Sequence, residues 1–417
     1  MKVLVLGAGV VGTAAAAYLA RDGHEVTVVD RHDQVARGTS YCNAGLVSPG
    51  DATAWASPAA LKTFIRGIFN HNLGIRVRLR ADPYFYRWSL RFLRQCTTAH
   101  LRANSLAKLR LALYARDCIN ELSAEAGIGY DERKRGLFYF FRSQQSFDEG
   151  SANYRFLGEH GLPIEIVGRD RIVEIEPGLA AVKDKIAGGI YSPIDQTGDS
   201  RQFTEGLSTY AREKLGVVFR FGTTVEALDI EGDRVRAVRT SAGPLEADAV
   251  VLCMGPESGL LGRRHGLDLP VYPVKGYAMT VPLEDPSKGP TMGGADEDSL
   301  IGYSRLGDRL RVSSTAEFTG FDRSWKPRDF ASIFRAAHDL FPGAFDEKKA
   351  ELWAGLRPMM PSSVPVIGRA RYRNLYLNTG HGHLGWTTSC GSGKLLADLV
   401  AGRKPEIDTQ GLEYGHG

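Results

Sequence analysis

The first thirty residues contain the feature that most constrains the fold. KVLVL (2–6) is a short run of β-branched and leucine residues and predicts a buried strand. GAGVVG (7–12) follows, residues 13–21 are alanine-rich and predict a helix, and EVTVVD (25–30) predicts a second strand. A strand, a glycine-rich turn, a helix and a second strand form a complete βαβ unit, which predicts a Rossmann-like α/β fold.

The glycine spacing of this turn predicts a dinucleotide site. Gly7 allows the tight turn, Gly9 lets the backbone approach a pyrophosphate, and Gly12 lets the helix pack closely on the sheet. The helix N-terminus adds N–H donors and the positive end of its dipole. Asp30 ends the second strand, where a carboxylate accepts hydrogen bonds from a ribose. A glycine-rich turn without a ligand is the alternative, and Asp30 argues against it.

Three longer stretches favour FAD over NAD as the dinucleotide. Residues 31–50 form a long polar loop that can wrap a cofactor buried along its length. ADAVVLCMGPES (247–258) predicts a buried strand that runs into a glycine close to the nucleotide. TGHGHLGWTTSCGSG (379–393) is a second glycine-rich turn before a helix, predicted at 392–401. Two such helix starts suit an extended cofactor held at both ends.

Length and composition set the broad class. A chain of 417 residues predicts two domains, and 43% apolar with 24% charged residues is ordinary for a globular protein. The net charge of +4 argues neither for nor against nucleic acid. Five cysteines without a CxxC predict free thiols in a reducing compartment and no metal site. No apolar run is long enough to span a membrane, and the apolar first twenty residues continue into the fold, so we expect a cytoplasmic protein.

A single charge stands in the apolar stretch WAGLRPMMPSSVPVIG (353–368). This charge is Arg357, and a guanidinium is costly to bury unless an anion meets it. The anion could be a structural carboxylate elsewhere in the fold or the carboxylate of a substrate. The stretch alone does not decide between these two interpretations.

Seven segments together resemble the D-amino-acid dehydrogenase small-subunit family, within the FAD-dependent group of D-amino-acid oxidase, glycine oxidase and sarcosine oxidase. They are VLGAGVVG, HEVTVVDR, TSYCNAGLVSPG, GDSRQFTEGL, VYPVKGY, GLRPMMPSSVPVIGR and LNTGHGHLGWTTSCGSG. The resemblance covers nearly the whole chain. It implies a Rossmann-like FAD-binding domain with an inserted antiparallel-sheet substrate domain. The expected FAD-binding segments are 1–55, 195–258 and 350–417, and the expected substrate-binding segments are 56–194 and 259–349.

The resemblance also implies cofactor contacts. The pyrophosphate and adenosine would be held by Gly7, Gly9, Val10, Val11, Gly12, Asp30 and Arg31, with Val225 and Gly255 at the adenine end. The flavin edge would be lined by Thr39, Ser40, Asn43, Ala44, Gly45 and Leu46. The isoalloxazine ring would be lined by Gly380, His381, Gly382, His383, Leu384, Gly385, Trp386 and Thr387. No cysteine lies between residues 254 and 389, so we expect non-covalent FAD.

Six residues are candidates for substrate contact, catalysis or tuning of the flavin. Arg357 matches the arginine that binds the substrate carboxylate in the family, which favours the substrate interpretation given above. Tyr277 and Tyr303 are candidate substrate tyrosines, and each could instead be a core tyrosine. His383, like His381, could take a proton from the substrate amine or simply pack around the flavin. Lys275 could tune the flavin or simply lie on a strand.

The activity implied by the resemblance is oxidative deamination. A D-amino acid would lose a hydride to flavin N5, and the imino acid would hydrolyse to a 2-oxo acid and ammonia. A quinone or another non-oxygen acceptor would then take the electrons. The alternatives are an oxidase or dehydrogenase of glycine, sarcosine or a proline-like imino acid, and a non-catalytic flavin-binding subunit of a larger complex.

Residues 61–110 are strongly basic, with eleven Lys or Arg and one acid, Asp82. Aromatic residues are interleaved with these charges. Such a stretch can contact an anionic membrane at the inner face of the cytoplasmic membrane, or dock a partner subunit. The alternative is a solvated face whose aromatic residues lie in the core. No nucleic-acid motif accompanies the charge, so no nucleic-acid partner is expected.

Overall fold

The computed structural model describes residues 1–61, 67, 74–78 and 81–415. These residues form twenty strands, numbered in chain order: β1 (Lys2–Leu6), β2 (Glu25–Val29), β3 (Leu46–Val47), β4 (Ile75–Val77), β5 (Leu137–Phe141), β6 (Glu165–Gly168), β7 (Gly188–Ser192), β8 (Gln196–Thr197), β9 (Val218–Arg220), β10 (Val225–Glu231), β11 (Arg234–Thr240), β12 (Gly243–Leu245), β13 (Ala249–Leu252), β14 (Tyr272–Pro282), β15 (Gly293–Asp296), β16 (Ile301–Leu306), β17 (Arg309–Phe318), β18 (Glu351–Met359), β19 (Val366–Arg369) and β20 (Leu375–Thr379).

Nine α-helices lie wholly within the described ranges. They are α1 (Val10–Arg21), α2 (Pro83–Gln95), α3 (Thr98–Ala126), α4 (Gln144–Glu159), α5 (Arg169–Ile175), α6 (Ser200–Lys214), α7 (Glu257–Arg264), α8 (Ala331–Leu340) and α9 (Ser389–Val400). Strands and helices are mixed along the chain, which confirms the predicted α/β class. α9 begins three residues earlier than predicted.

A six-stranded sheet contains the predicted βαβ unit. Its order is β19-β20-β13-β1-β2-β9, and every pair except β19–β20 is parallel. β1 is central, with Val5 opposite Val28 on one side and Val251 on the other. Strands buried on both faces have no polar face to alternate with, which explains the continuous apolar run of β1.

The two faces of β1 pack against different layers. Val3 and Val5 share a core with α1, α3 and α9. Leu4 and Leu6 lie in a second core, together with Leu228 of the three-stranded sheet β10-β11-β12. Because β1, β2 and β13 are parallel, their carboxyl ends lie at the same edge of the sheet. Ligands of open α/β sheets bind at this edge.

A nine-stranded sheet forms the other half of the molecule. Its order is β18-β14-β17-β16-β15-β5-β7-β6, with β4 beside β17. Neighbouring strands are antiparallel except for the pairs β5–β15 and β4–β17. The expected antiparallel substrate sheet is therefore present, with two parallel pairs. β18 pairs with β14 along nine positions, and this register places Arg357 opposite Val274.

Two elements do not pack with the domain in whose expected segment they lie. β18 falls in segment 350–417 yet belongs to the nine-stranded sheet, because its partner strand is β14. α3 falls in segment 56–194 yet packs on α9, because its apolar side chains join the core of the six-stranded sheet. Both elements run between the two halves of the molecule.

The basic stretch 61–110 is described in part, since residues 62–66, 68–73 and 79–80 lie outside the described ranges. In α2, Phe85, Trp88 and Phe92 are buried in a cluster with Tyr272. These aromatic side chains therefore lie in the core, as the second interpretation of the basic stretch expects. No helix among the described residues combines the length and the apolar character that crossing a lipid bilayer requires.

The outer face of α2 is different. Tyr86, Leu90 and Leu93 are spaced four and three residues apart, so they share one face of the helix. They are 50%, 52% and 39% exposed. Arg87 and Arg91 on the same helix contact Asp268 through ion pairs. α2 thus has an aromatic inner face and an apolar strip on its outer face.

Candidate active site

The turn after β1 is so tight that its glycines cannot be replaced without movement. Gly7 has a φ of +106°, and a Cβ there would lie 2.5 Å from the carbonyl oxygen of Cys253. A Cβ on Gly12 would lie 2.0 Å from the carbonyl oxygen of Gly7. The predicted reasons for these two glycines, a tight turn and close helix packing, agree with this geometry.

The N-terminus of α1 opens toward a cavity lined by Gly7, Gly9, Val10 and Val11. Gly9, the cap residue, has no side chain that could bond to the start of the helix. Ser40 Oγ instead accepts a hydrogen bond from the Val10 N–H at 3.0 Å. The next N–H groups have no partner within an α-helix. They are therefore suited to a phosphate.

Asp30 and Arg31 lie at the same end of the cavity. Asp30 Oδ2 accepts a hydrogen bond from the Ala8 N–H at 2.7 Å, and Oδ1 accepts one from the His32 N–H at 2.9 Å. A carboxylate has further lone pairs, and Asp30 lines the cavity, so it can still accept from a diol. Arg31 donates to Glu257 at 2.7 Å.

Val225 and Gly255 also line this end of the cavity. Gly255 has a φ of +57°, and its carbonyl oxygen accepts a hydrogen bond from Thr379 Oγ1 at 3.2 Å. The bond ties the end of β13 to the end of β20. The residues predicted for the adenosine side of the cofactor are therefore brought together.

The loop predicted along the flavin edge is fixed by hydrogen bonds from distant segments. Asn43 Nδ2 donates to Ser200 Oγ at 2.8 Å, and Ser304 Oγ donates to the Ala44 carbonyl at 2.8 Å. The cavity is lined by Thr39, Ser40, Asn43, Ala44 and Leu46. Gly45 lies behind this lining with a φ of +71°.

The second glycine-rich turn follows β20. Gly380 and Gly382 have φ values of +78° and +58°, and a short 3-10 turn covers Gly382–Leu384. The cavity is lined by His381, Gly382, His383, Gly385 and Trp386. Gly380, Leu384 and Thr387 lie behind the lining, and Thr387 Oγ1 accepts a hydrogen bond from the Ser48 N–H at 3.0 Å.

A backbone contact ties this turn to the strand of the candidate arginine. Met359, the last residue of β18, forms an isolated β-bridge with His381. His381 is buried, and burial lowers its pKa to about 3. Its Nε2 lies 3.2 Å from Ser392 Oγ. His381 is therefore a neutral, packed side chain.

One cavity of about 1020 Å³ joins these parts. It extends from the turn after β1, past the loop 39–46, to β18 and the residues around Trp55. Its walls come from both large sheets. A cavity of this size is large enough for an extended dinucleotide and a small substrate together.

Arg357 reaches the cavity from β18. Nη1 donates to the Thr315 carbonyl at 2.7 Å, and Thr315 has a φ of +70°. A Cβ on Gly276 of the neighbouring strand would lie 2.3 Å from Nη1, so glycine makes room for the guanidinium. Among the described residues, no carboxylate forms an ion pair with Arg357. Burial lowers its pKa to about 10, and Asp51 partly offsets this effect, so Arg357 stays charged at neutral pH.

Asp51, Lys108 and His383 meet beside Arg357. Lys108 is 2% exposed; its Nζ donates to the Thr53 carbonyl at 2.8 Å and lies 3.4 Å from His383 Nε2. His383 Nε2 also lies 3.3 Å from the Asp51 carbonyl oxygen and 3.7 Å from Asp51 Oδ2. Its ring stacks on Trp55 at 5.0 Å. Burial, with Lys108 nearby, holds the pKa of His383 well below its usual range.

The two candidate tyrosines differ in position. Tyr277 lines the cavity, but it is 2% exposed and its hydroxyl donates to Glu317. Tyr303 is fully buried in the core under α8, with its ring against Phe341. The structure corrects the substrate role considered for Tyr303: its side chain points to the helix-covered face of the sheet. Lys275 is a buried strand residue that donates to the Ser324 carbonyl at 2.8 Å.

Four residues of the site were not singled out from the sequence. Asp51 and Lys108 come from a turn and from α3. Gly276 comes from β14, which is paired with β18, and Thr315 comes from β17, the next strand of the sheet. The one available signal was the position of Asp51 directly after SPG, where a segment that carries the family resemblance ends. Lys108 gave no signal, because a lysine on a helix is most often solvated.

An orphaned amide supports a cofactor in this cavity. Asn378 is fully buried at the end of β20, lines the cavity, and has no hydrogen-bond partner for either amide atom among the described residues. Buried polar groups in folded proteins are nearly always satisfied. Together with the remaining N–H groups at the start of α1, this amide fits a polar ligand such as FAD.

Comparison with known proteins agrees with this geometry. Residues 2–399 match the family model described as FAD dependent oxidoreductase. The chain belongs to this family. The predicted family resemblance and flavin cofactor are thereby confirmed for this oxidoreductase.

Two curated relatives of this FAD dependent oxidoreductase extend over its full length. It is 78% identical over 415 residues to "D-amino acid dehydrogenase 2" of Mesorhizobium japonicum, covering 100% of both chains. It is 45% identical over 419 residues to "D-amino acid dehydrogenase" of Bradyrhizobium diazoefficiens, covering 100% of this chain and 99% of the relative.

Two solved structures share the fold. Glycine oxidase from Geobacillus kaustophilus has a TM-score of 0.77 at 22% identity, covering 100% of this chain and 99% of that one. L-proline dehydrogenase from P. horikoshii has a TM-score of 0.76 at 17% identity, covering 99% and 96%. At these identities the likeness supports the fold alone.

Proposed function

We propose that this FAD-dependent enzyme oxidises D-amino acids to 2-oxo acids and ammonia and passes the electrons to a quinone or another non-oxygen acceptor. The observation that carries the proposal is Arg357, a charged guanidinium in the cavity with free donors and no carboxylate partner among the described residues. A substrate carboxylate satisfies it bidentately. The names of the curated relatives support the D-amino acid and the dehydrogenase type.

The residues proposed to hold FAD are those of the two glycine-rich turns and the loop between them. Gly7 to Gly12 and Asp30 bind the pyrophosphate and ribose, loop 39–46 lies along the flavin edge, and residues 380–387 line the ring. No cysteine occurs between residues 254 and 389, which supports non-covalent binding. When bound, FAD supplies the acceptor for the hydride of the substrate α-carbon.

The side chains of this enzyme orient the substrate rather than perform the redox chemistry. Arg357 fixes the carboxylate, and its own position is fixed by the Thr315 carbonyl and by the space above Gly276. Trp55, stacked on His383, covers part of the cavity wall and limits water. Water then hydrolyses the imino acid product to the 2-oxo acid and ammonia. Fixed orientation of this kind supplies a large part of a barrier reduction.

Substitution of Arg357 tests the proposal. We expect Arg357→Ala to keep its flavin and to lose about 1000-fold in kcat/KM for D-amino acids, because a buried charge-assisted contact disappears. The measurement is anaerobic flavin bleaching by D- and L-amino acids, both prolines, glycine and sarcosine. If only an L-imino acid, glycine or sarcosine bleaches the wild type, that compound rather than a D-amino acid is the substrate. If none of the tested compounds bleaches it, the proposal is contradicted.

We also propose a peripheral location at the inner face of the cytoplasmic membrane, with the basic stretch 61–110 toward anionic lipid. Exposed Tyr86, Leu90 and Leu93 on α2 support it, since apolar side chains beside arginines suit a lipid surface. A partner subunit at this face is the alternative.

For the domain division, we propose FAD-binding segments 1–55, 195–258 and 350–417 and substrate-binding segments 56–194 and 259–349. Two elements cross this division: β18 belongs to the substrate sheet, and α3 packs on the FAD side.

A further inference from the structure

We propose that Asp51 is a second catalytic residue, which binds the α-ammonium group of the substrate and accepts its proton. The cavity would then recognise a zwitterion, with Arg357 for the carboxylate and Asp51 for the amine. This inference rests on the proposed oxidation of amino acids and names the group that prepares their nitrogen.

The turn that carries Asp51 is held in place by hydrogen bonds. Asp51 ends a 3-10 turn, Pro49–Asp51, whose central Gly50 N–H donates to both oxygens of the Asp195 carboxylate at 3.2 and 3.1 Å. A Cβ on Gly50 would lie 2.5 Å from Asp195 Oδ2. The Asp51 carbonyl oxygen is in turn a partner of His383 Nε2. The backbone of Asp51 is therefore held on two sides.

The Asp51 carboxylate itself is free. It lines the cavity, 40% of its side chain is exposed there, and no described residue donates a hydrogen bond to it. Its closest ion-pair contact is His383 Nε2 at 3.7 Å. A carboxylate and a guanidinium, Asp51 and Arg357, thus line one cavity with unused hydrogen-bonding capacity. The ligand that satisfies both carries one negative and one positive group, as an amino acid does.

The charges facing Asp51 come from several elements. Arg357 on β18 and Lys108 on α3 favour its ionised form. The Asp51 carboxylate in turn raises the pKa of two neighbouring carboxyl groups, Glu297 and Asp195. The phenols of Tyr139 and Tyr154, and His383, are neutral because burial disfavours their charged forms.

Among the three carboxyl groups of this region, Asp51 is the one that is ionised first. Desolvation by the surrounding walls of the cavity raises the pKa of Asp51 to about 6, although the carboxylate faces the open space within, and Lys108 and Arg357 oppose the rise. Burial raises the pKa of Asp195 to about 7 and that of Glu297 to about 8. At neutral pH Asp51 is therefore largely an anion, and it is a stronger base than an ordinary aspartate.

Asp51 also suits proton acceptance better than His383. The Asp51 carboxylate opens to the cavity, whereas the His383 side chain is only 10% exposed between Trp55 and Lys108, and its Nε2 faces the Asp51 carbonyl oxygen. A cation at His383 would also be repelled by Lys108 and Arg357. His383 and Lys108 are then positioning residues behind Asp51.

The step is a proton transfer without a change in oxidation state. One N–H bond of the substrate ammonium breaks, an O–H bond forms at Asp51, and the nitrogen keeps the electron pair. Both charges are neutralised, and the neutral amine can then assist loss of the α-hydride. The proton leaves Asp51 to water after the product departs.

The test is the pH dependence of flavin reduction in anaerobic stopped flow, with D-alanine as the probe. In the wild type we expect the rate constant to fall below about pH 6. In Asp51→Asn we expect a loss of about 100-fold at pH 7. The loss should shrink steadily toward high pH, where the free amine is already neutral. Asp51→Glu should recover part of the rate.

Benzoate, a carboxylate without an amine, is the control ligand for Arg357. Benzoate has no amine for Asp51 to contact, so its dissociation constant, read from the flavin spectrum, should change by less than about threefold in Asp51→Asn. Loss of a direct contact would change the dissociation constant by more than this. An unchanged pH profile in Asp51→Asn, or a uniform loss at every pH, would overturn the inference. A wild type that no D-amino acid reduces would instead overturn the proposed function.

A second variant covers the case in which Asp51→Asn does not fold. Lys108→Met removes a cation that favours ionised Asp51, so the acid limb of the wild-type profile should move to higher pH. Lys134→Met, at the exposed Lys134, is the control for loss of one positive charge. A Lys108→Met limb that coincides with that of Lys134→Met would contradict the role of Asp51.

Discussion

The end of the cavity proposed to bind the nucleotide, at the turn after β1, and the end proposed to bind substrate, around Arg357, are built on different principles. We call them the nucleotide end and the substrate end. At the nucleotide end, backbone packing leaves room for glycine alone: a Cβ on Gly12 would approach the Gly7 carbonyl oxygen to 2.0 Å. At the substrate end the working groups are charged side chains, Arg357, Asp51 and Lys108, which come from a strand, a turn and a helix. The first end is local in sequence, and the second is assembled from segments far apart in the chain.

This difference predicts how substitutions at each end change the protein. Crowding at the nucleotide end affects the fold and the cofactor together, because the same backbone forms both. A change at the substrate end affects rate and pH dependence while the flavin stays bound. The following variants test that separation, in order of decreasing effect.

Gly12→Ala should have the largest effect. The added Cβ overlaps the Gly7 carbonyl oxygen, so α1 must move away from the turn proposed to bind the phosphates. We expect the purified protein to contain less than about one tenth of the normal flavin, a loss that a weakening of about 1.4 kcal/mol would already explain. The absorbance ratio at the flavin and protein bands measures it. Gly129→Ala, where a Cβ meets no atom within 4 Å, is the matched control.

Gly276→Ala should act at the substrate end alone. Its Cβ would lie 2.3 Å from Arg357 Nη1 and would displace the guanidinium. We expect kcat/KM for D-amino acids to fall about 100-fold, because a displacement of this size misplaces the substrate. Flavin content should stay normal, and Gly168→Ala, with open space at its Cβ, should match the wild type. Loss of flavin in Gly276→Ala would contradict the separation of the two ends.

Asp195→Asn should change stability with pH. Burial raises the pKa of Asp195 to about 7, so the folded state keeps a proton that the unfolded chain loses near pH 4. Asp195 therefore makes stability fall as the pH rises from about 4 to 7, by at most about 1.4 kcal/mol per pH unit. In the variant we expect a smaller fall in Tm between about pH 5 and 7.

Thermal unfolding of the wild type and Asp195→Asn at half-unit pH steps checks this prediction. The amide oxygen of the substituted side chain can still accept from the Gly50 N–H, so the turn is retained. Asp184→Asn, at an exposed position, is the control for loss of one carboxylate. Parallel Tm curves for wild type and Asp195→Asn would show that the raised pKa is absent.

Leu90→Ser should have the smallest effect, on membrane contact. One face of α2 packs at the substrate end through Trp88, and the opposite face exposes Leu90. We expect binding to vesicles of anionic lipid to weaken about threefold, because one exposed leucine contributes roughly 1 kcal/mol or less at a lipid surface. Co-sedimentation measures it. Ile166→Ser, an exposed apolar residue on another sheet edge, should not change binding.

The nucleotide end could be predicted from the sequence because its signals are local. The strand, the glycine spacing and Asp30 lie within the first thirty residues, and the structure retains all of them. Arg357 was also recognisable, as a lone charge in an apolar strand. Its partner Gly276 was not, because cross-strand register is invisible until the sheet is known.

The remaining substrate end depends on tertiary contacts that no local pattern contains. Lys108 looks like an ordinary surface lysine of a long helix, and its burial follows from how α3 packs. Tyr303 was a candidate because the resemblance implies substrate tyrosines, and the sequence does not show which face of its strand meets the cavity. The family resemblance identified the motifs, but Asp51 had to be found from the space around it.

The bridge between Met359 and His381 has an evolutionary consequence. It joins β18, which carries Arg357, to the second glycine-rich turn through backbone atoms. The relation between the proposed carboxylate anchor and the proposed flavin-binding turn therefore does not depend on side-chain identity. Descendants of this scaffold can therefore exchange side chains around Trp55 while inheriting the anchor and the turn Pro49–Asp51 unchanged. Selection for a new substrate, in nature or in a mutant library, has its widest freedom at those positions.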